Sequence, residues 1–263
     1  MPETALVTGA SGGIGEEFAR LLAAHGIDVV LLARSADKLA ALAAELSRTH
    51  SIKAAVLAQD LAAPDAVDRV DAELRARGTE VDILINNAGF ATYGPFIETP
   101  PAEEARLLQV NVVALTMLTK KLLPAMILRR CGRVLNVAST AAFQPGPWMA
   151  VYYASKAYVL SFSEALTAET DGTGVTVTCL CPGLTDTGFQ DRAEMRESKL
   201  LDTMAAITAA DVARAGYEGM MAGQAVVIPG FRNKIGPQLI RFAPRAVVRR
   251  VMKSLQDRKT NDS

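Results

Sequence analysis

Short apolar, β-rich runs alternate with longer amphipathic segments rich in alanine and leucine, and this alternation restricts the fold of the chain most strongly. Seven such runs occur, in the order ALVTG, IDVVLLA, KAAVLA, VDILINN, RVLNVAS, VTVTCLC and AVVIPG. Several of them are apolar throughout, as expected for strands that are buried on both sides. The pattern predicts an α/β fold, a doubly wound parallel sheet with helices on both faces.

The amphipathic segments predict the helices and the extent of the domain. Helices are expected near 13–25, 36–48, 64–77, 102–129, 150–170 and 210–222. With 263 residues, 50% of them hydrophobic, the chain can bury the core of one domain. We expect this domain over residues 1–230, with a looser stretch at 184–222 that covers a pocket. Residues 231–263 form a basic extension.

Charge, cysteine and histidine content exclude several classes of function. Basic and acidic residues both total 28, so no excess of charge indicates a nucleic-acid partner. The 3 cysteines are too few for a disulfide framework, and the 2 histidines lack metal-ligand neighbours and a GxSxG context. The N-terminus enters a strand directly, without a targeting signal. We expect a cytoplasmic protein without a metal site or a membrane-spanning segment.

A glycine-rich turn follows the first predicted strand. The sequence TGASGGIG places Gly9, Gly13 and Gly15 before a helix, where a pyrophosphate can approach backbone N–H groups and the positive end of the helix dipole. The spacing G-x-x-x-G-x-G differs from the usual G-x-G-x-x-G, so a glycine-rich turn without a ligand is an alternative. Its position at the first strand-helix junction favours a Rossmann-like dinucleotide site.

The end of the second predicted strand indicates which dinucleotide is bound. An acidic residue there would bind the ribose 2′-hydroxyl of NAD and repel the 2′-phosphate of NADP. This chain has Arg34 and Ser35 at that point, whereas Asp28 lies at the other end of the strand and Asp37 in the next helix. Because arginine matches a phosphate bidentately, we predict NADP(H). The alternative is that Arg34 is a solvated loop charge.

The stretch YYASK at 152–156 combines a lysine with two tyrosines. Residues three or four apart share a helix face, so Lys156 can lie beside Tyr152 or Tyr153. A neighbouring ammonium favours phenolate and would lower the pKa of a tyrosine toward neutral pH. Taken alone, such a pair is more often packing than chemistry, and the spacing does not choose between the tyrosines.

Five motifs in a fixed order resemble one known family. They are TGASGGIG, NNAG at 86–89, Ser139 after the fifth strand, Tyr152 with Lys156, and PGLTDT at 182–187. Over residues 4 to 230 this order resembles the short-chain dehydrogenase/reductase family in its single-domain form. The resemblance implies hydride transfer between NADP(H) and a carbonyl or secondary alcohol.

The resemblance also implies roles for individual residues. Tyr152, four residues before the lysine, would donate or accept the proton, Lys156 would tune it and bind the cofactor ribose, and Ser139 would steady the substrate oxygen. Asn111 resembles the family residue that holds a water connecting the lysine to solvent. Tyr153, about 100° away around the helix, would pack or line the cleft. The expected cofactor contacts are Gly9, Ser11, Gly13, Ile14, Gly15, Arg34, Ser35, Asp60, Leu61, Asn87, Ala88, Gly89, Tyr152, Lys156, Pro182, Gly183 and Thr187.

Apolar residues near the expected mouth of the site indicate a lipophilic substrate. They are Phe90, Tyr93, Phe96, Phe143, Trp148 and Met149, although some of them would be core or interface residues. A non-catalytic, dinucleotide-sensing regulatory protein on the same fold is the alternative function, and the intact Ser139, Tyr152 and Lys156 argue against it. An epimerase or dehydratase of the wider superfamily would prefer a longer C-terminal domain. The helices near 102–129 and 150–170 resemble those that pair between subunits, so we expect a homodimer or homotetramer.

The C-terminal extension is strongly basic. Between Arg232 and Lys259 it has nine basic residues and the single acid Asp257. A helix that starts at Pro244 would carry an apolar stripe on one side and arginines on the other. The stripe consists of Val247, Val248, Val251, Met252 and Leu255. Such a helix could lie on an anionic membrane or pack on the domain or a partner subunit, and we favour packing.

Overall fold

Seven parallel strands form the central sheet of the computed structural model, which describes residues 3–186 and 206–256. The strands of this sheet are β1 (Thr4–Thr8), β2 (Asp28–Ala33), β3 (Ala54–Ala58), β4 (Ile83–Asn86), β5 (Gly132–Val137), β6 (Val175–Leu180) and β9 (Val226–Val227). Two further short strands, β7 (Thr185–Asp186) and β8 (Ile207–Thr208), pair only with each other. Their order in the sheet is β3-β2-β1-β4-β5-β6-β9. The predicted doubly wound sheet is therefore confirmed.

Helices cover both faces of this sheet. They are α1 (Gly13–Ala24), α2 (Ala36–His50), α3 (Ala66–Ala76), α4 (Pro101–Leu108), a π-helical segment (Gln109–Ala114), α5 (Leu115–Arg129), α6 (Ala150–Glu169), α7 (Ala209–Met221), α8 (Phe231–Phe242) and α9 (Arg245–Gln256). One core cluster joins α1, α2 and α7 to the sheet, and another joins α3 and α5 to its opposite face. In α1, Phe18 and Leu22 are fully buried and lie four residues apart, which is the spacing of one helix face.

The long helix predicted over 102–129 is not uniform. It consists of α4, the π-helical segment and α5, and Asn111 lies inside the π-helical part. Wider π turns are uncommon and often occur at functional sites. Among the described residues, Pro101–Arg129 is also the one helical run long and apolar enough to cross a membrane. Leu107, Leu118 and Met126 of this run are buried in the domain, so we describe it as a core helix.

Two helices follow the last strand of the sheet. The sequence predicted α9 but not α8. At the start of α8, the Asn233 side chain donates a hydrogen bond to the Pro229 carbonyl over 2.9 Å. In α9 the predicted apolar stripe divides, since Val248 and Met252 are buried while Val247 and Val251 are about half exposed. The helix α9 therefore packs on the domain along only part of its apolar surface.

Candidate active site

A cleft of about 470 Å³ opens at the carboxyl ends of the strands. From β1 the sheet continues through β2 in one direction and through β4 in the other, and such a switch point is where open α/β sheets bind ligands. The cleft is lined by Gly9, Ser11, Leu32, Ala33, Arg34, Ser35, Lys38, Gln59, Asp60, Leu61, Ala88, Gly89, Phe90, Glu103, Arg106 and Val110. Eight of the residues predicted to contact a cofactor are therefore brought to one surface.

The turn between β1 and α1 requires glycine at two positions. Gly9 has a φ of 68°, a left-handed conformation that favours glycine. A Cβ on Gly15 would lie 2.3 Å from the Gly9 carbonyl oxygen and 2.4 Å from the Asn87 side-chain nitrogen. The helix N-cap is Gly12, which supplies no side-chain acceptor to the first N–H groups of α1. The turn therefore leaves backbone donors and space for a pyrophosphate, so the residues present fit a dinucleotide.

Thr8 joins this turn to the NNAG motif, a role that was not predicted from the sequence. Its hydroxyl accepts hydrogen bonds from the backbone N–H groups of Asn87 and Ala88, each over 2.9 Å, and donates to the Ile85 carbonyl. The Asn87 side chain in turn donates to the Thr8 carbonyl over 2.9 Å. These bonds hold the ends of β1 and β4 together. The only sequence signal is the position of Thr8 directly before Gly9.

The end of β2 contributes two cations to the cleft. Arg34 and Lys38 both line it and are exposed, and no ion-pair partner is found for either within residues 3–186 and 206–256. Lys38 was not predicted from the sequence, although it lies in the first turn of α2, four residues after Arg34. On the opposite side, Arg106 lies 3.6 Å from the Asp60 carboxylate. The unpaired cations Arg34 and Lys38 are suited to a phosphate.

Ser139 and Tyr152 meet beyond the carboxyl end of β5. Ser139 follows β5, where its hydroxyl accepts a hydrogen bond from the Ala141 N–H over 3.1 Å, and it is hydrogen-bonded to the buried Tyr152 hydroxyl. Burial raises the pKa of Tyr152 to about 12, and the bond to Ser139 acts in the opposite direction. The expected lowering of this pKa by Lys156 is not found: burial is the largest influence on it, and the influence that lowers it is the bond to Ser139.

Lys156 is buried behind the Tyr152 ring. Its ammonium nitrogen lies 5.7 Å from the ring centroid and donates a hydrogen bond to the Val137 carbonyl over 2.8 Å. Burial lowers the pKa of Lys156 to about 8, while the nearby thiols of Cys179 and Cys181 act to raise it. An amine with this pKa can hold or release a proton close to neutral pH.

Asn111 connects the cleft to α6. Its side-chain oxygen accepts from the Phe90 N–H over 3.1 Å, and its nitrogen donates to the Phe90 carbonyl over 3.0 Å and to the Ser155 hydroxyl over 3.2 Å. A Cβ on Gly89 would lie 3.1 Å from the Asn111 oxygen and 3.5 Å from the Lys156 nitrogen. Gly89 therefore borders both the cleft and the Lys156 amine.

Tyr153 faces the C-terminal helix instead of Ser139. Its hydroxyl accepts a short hydrogen bond from the side-chain nitrogen of Gln256, and its ring is tilted 78° from that of Tyr152. The Tyr93 hydroxyl donates to the Gln256 carbonyl over 2.7 Å. Gln256 is fully buried and holds the end of α9 against the site. It was not identified from the sequence, where it is one polar residue at the end of a basic segment.

The residues predicted at the mouth of the site do not all lie together. Phe90, Tyr93 and Met149 belong to the apolar cluster around Tyr152 and Tyr153, which α9 completes with Val248 and Met252. Phe143 packs in a different cluster, beneath α6, and Phe96 is exposed. Trp148 lies on the left-handed side of backbone space, with a φ of 66°.

The remaining predicted cofactor residues lie outside the lining of the cleft. Gly13 and Ile14 start α1, and Pro182 accepts a hydrogen bond from the Thr140 N–H over 2.9 Å. Gly183 is covered by Asn233 of α8, whose side chain would meet a Cβ at 2.5 Å. Thr187 lies outside the described residues. Within the described residues, no group of three or more metal-ligating side chains comes together.

Three comparisons relate this chain to known proteins. The profile of the family described as short chain dehydrogenase matches residues 3–198. The very-long-chain 3-oxoacyl-CoA reductase of Aspergillus clavatus is 40% identical over 175 residues, which cover 66% of this chain and 51% of that protein. The structure of a short-chain dehydrogenase from Sphingobium yanoikuyae in complex with NADPH has a TM-score of 0.83 and 30% identity, covering 100% of this chain and 99% of that one.

A second solved structure, of a 7beta-hydroxysteroid dehydrogenase, has a TM-score of 0.85 and 27% identity, covering 95% of this chain and 96% of that one. The curated relatives named very-long-chain 3-oxoacyl-CoA reductase are longer. The match spans 51% of the Aspergillus clavatus reductase and 58% of the Homo sapiens one.

Proposed function

The chain belongs to the short-chain dehydrogenase family, and we propose that it transfers a hydride between NADP(H) and the carbonyl or secondary alcohol of a lipophilic small molecule. The observation that carries this proposal is the buried hydrogen bond between Ser139 and Tyr152, with Lys156 behind the tyrosine ring. The Lys156 amine lies beside Gly89, which lines the dinucleotide cleft. A hydroxyl pair at this place can handle the proton that accompanies hydride transfer.

Tyr152, Ser139 and Lys156 have different roles in the transfer of the proton. The nicotinamide supplies or accepts the hydride when the cofactor is bound. The Tyr152 hydroxyl, whose raised pKa keeps it protonated at neutral pH, donates its proton to the oxygen of a carbonyl being reduced. The Ser139 hydroxyl donates a hydrogen bond to the same oxygen and stabilises its developing charge. Lys156, with a pKa of about 8, returns a proton to the phenolate.

The cofactor is NADP(H) because the end of β2 offers cations in place of a carboxylate. Arg34 and Lys38 would bind the 2′-phosphate, and Ser35 between them can donate a further hydrogen bond. Asp28, the one carboxylate of β2, lies at the start of that strand, where it accepts a hydrogen bond from the Lys53 N–H. The similar dehydrogenase from Sphingobium yanoikuyae is a complex with NADPH, which supports this choice.

The substrate is lipophilic because an apolar cluster surrounds the tyrosine. Met149, Val248 and Met252 are buried in this cluster with Tyr152. The names of similar proteins, a very-long-chain 3-oxoacyl-CoA reductase and a 7beta-hydroxysteroid dehydrogenase, also point to bulky apolar substrates. The alternative of a non-catalytic sensor gains no support from these relatives.

The enzyme is a homodimer or homotetramer that associates through α5 and α6. Val113, Met117 and Tyr158 leave apolar surface exposed on these helices and on the π-helical segment. Static light scattering should give at least twice the monomer mass, and Met117→Glu should lower it. The matched variant Met221→Glu, on the exposed surface of α7, should keep the wild-type mass. A monomeric wild-type protein at micromolar concentration would contradict this part of the proposal.

A screen of cofactor consumption tests the function as a whole. NADPH and NADH would each be incubated with ketones and aldehydes of increasing alkyl length. The expected result is a higher kcat/KM with NADPH, rising with the apolar size of the substrate. Best turnover of a small polar carbonyl would refute the lipophilic substrate. Tight NADPH binding without consumption for any carbonyl would favour the sensor.

A further inference from the structure

The helix α8 exposes an apolar face that nothing else in the described chain covers. Its four large apolar residues on this face are exposed by 78% at Phe231, 44% at Ile235, 66% at Leu239 and 84% at Phe242. At 100° per residue they fall within an arc of about 80° on the helix. A helix on the surface of a globular protein normally packs its apolar face against the core. In α8 this face points to solvent.

The opposite side of α8 is the one that contacts the domain. Asn233 and Ile240 lie about 180° around the helix from Phe231. Asn233 covers Gly183 and donates to Pro229, and Ile240 packs on the cluster around Tyr152. These contacts set the rotation of α8, so its apolar exposure is a consequence of how the helix is attached.

The charge of the two C-terminal helices indicates what covers this face. Residues 231–256 contain seven basic residues and no acidic residue, although the whole chain has equal numbers of both. Lys234, Arg245, Arg249, Arg250 and Lys253 are exposed. On α9, Val247 and Val251 are also about half exposed, and Arg250 lies about 60° from Val247 around the helix. Exposed apolar residues flanked by basic ones are typical of helices that lie in the interface of an anionic bilayer.

A second copy of the chain is a poorer match to this surface. Symmetric dimers bring the same patch of both subunits together. Such a contact through α8 and α9 would oppose two strongly basic segments, and like charges repel across an interface. Anionic headgroups neutralise the same charges, and each basic residue near such a surface adds to the free energy of binding to the membrane.

We propose that α8 and α9 form a docking surface for an anionic lipid bilayer. The apolar residues Phe231, Leu239 and Phe242 insert below the headgroups, and Arg249 and Arg250 contact the lipid phosphates and carboxylates. Because both helices also pack on the cluster around Tyr152, the bilayer would lie beside the site. The binding itself does not depend on the proposed oxidoreductase function.

Vesicle co-sedimentation tests this proposal with the full chain. The wild-type protein should bind vesicles of phosphatidylcholine with phosphatidylserine, bind pure phosphatidylcholine weakly, and lose much of its binding at high salt. The Arg249→Gln/Arg250→Gln variant should bind the anionic vesicles at least about tenfold less strongly. The Leu239→Ser/Phe242→Ser variant should lose a similar factor or more, because each large apolar side chain adds a favourable transfer from water.

Matched variants separate the surface from general effects of charge and apolar content. Lys53→Gln/Lys120→Gln removes two exposed charges elsewhere, and Leu128→Ser/Met221→Ser removes two exposed apolar side chains elsewhere. Both should bind vesicles like the wild type. Circular dichroism would establish that every variant is folded.

Insertion of α8 can be observed directly. In a Phe242→Trp variant, brominated lipid should quench the additional tryptophan fluorescence relative to wild type, which has 1 tryptophan. Absence of wild-type binding to anionic vesicles would refute the proposal. So would unchanged binding of the Leu239→Ser/Phe242→Ser variant. Loss of oligomeric mass in that variant, without wild-type vesicle binding, would assign the face to a second copy instead.

Discussion

The buried amine of Lys156 makes the stability of the protein depend on pH in a defined direction. Burial lowers its pKa from the ordinary value of 10.5 to about 8. Between these two values the unfolded chain holds a proton on this amine that the folded chain has released. The contribution of Lys156 to the free energy of unfolding therefore rises with pH across this window, and this gain is lost as the pH falls through about 8.

The magnitude follows from the size of the shift. Each pKa unit corresponds to about 1.4 kcal/mol. At pH values above 10.5, the pKa of this amine in the unfolded chain, the full gain in the free energy of unfolding is therefore about 3 kcal/mol. Integrated between about pH 7 and about pH 9, the contribution of Lys156 is about 1.4 kcal/mol. The range stops short of pH 10 because the raised pKa of Tyr152 adds a slope of opposite sign above its ordinary value of 10.0.

Urea unfolding of wild type and Lys156→Met across this pH range measures the effect. The difference in free energy, wild type minus variant, should increase by about 1.4 kcal/mol from about pH 7 to about pH 9. Loss of the bond to the Val137 carbonyl adds an offset that does not change with pH. The exposed control Lys120→Met should follow the wild-type slope. A difference that stays constant with pH would refute the argument that burial disfavours the charged amine.

Three further predictions concern the tyrosines, the phosphate site and the glycine turn. Tyr152→Phe should lower kcat by at least about a hundredfold with little change in NADPH affinity, measured by steady-state kinetics and fluorescence titration. Tyr153→Phe should keep turnover but lower the free energy of unfolding by about 1–3 kcal/mol, because it leaves the buried Gln256 amide unpaired. Loss of turnover in Tyr153→Phe, with turnover kept in Tyr152→Phe, would assign the proton transfer to Tyr153 instead. Arg34→Asp should shift the ratio of kcat/KM for NADPH over NADH by at least about tenfold toward NADH, and an unchanged ratio would remove Arg34 from the cofactor site. A Cβ at position 15 would meet backbone, whereas one at position 12 would meet nothing within 4 Å. Gly15→Ala should therefore lower the free energy of unfolding in urea by about 1–3 kcal/mol, and Gly12→Ala should lower it much less. Equal losses for the two variants would contradict this account.

Much of the fold and part of the site could be predicted from local pattern. The strands are contiguous apolar runs and the helices have their own periodicity, so the order of elements is contained in short stretches of sequence. The extra π-helical turn was missed because Asn111 is held by bonds to Phe90 and Ser155, which are distant along the chain. The helix α8 was missed because its large apolar residues face solvent, and the segment also contains a glycine and a proline.

The sequence by itself determined the parallel sheet, the glycine turn at its switch point and the cation at the end of β2. These features depend on side-chain periodicity, on the sterics of Gly9 and Gly15, and on residues next to one another. Only the tertiary structure decided that Tyr152 meets Ser139 while Tyr153 meets Gln256, which lies 103 residues away. It also decided that the pKa of Tyr152 is raised. This shift comes from burial, and burial depends on which distant segments of the chain cover the side chain, not on the residues next to it in sequence.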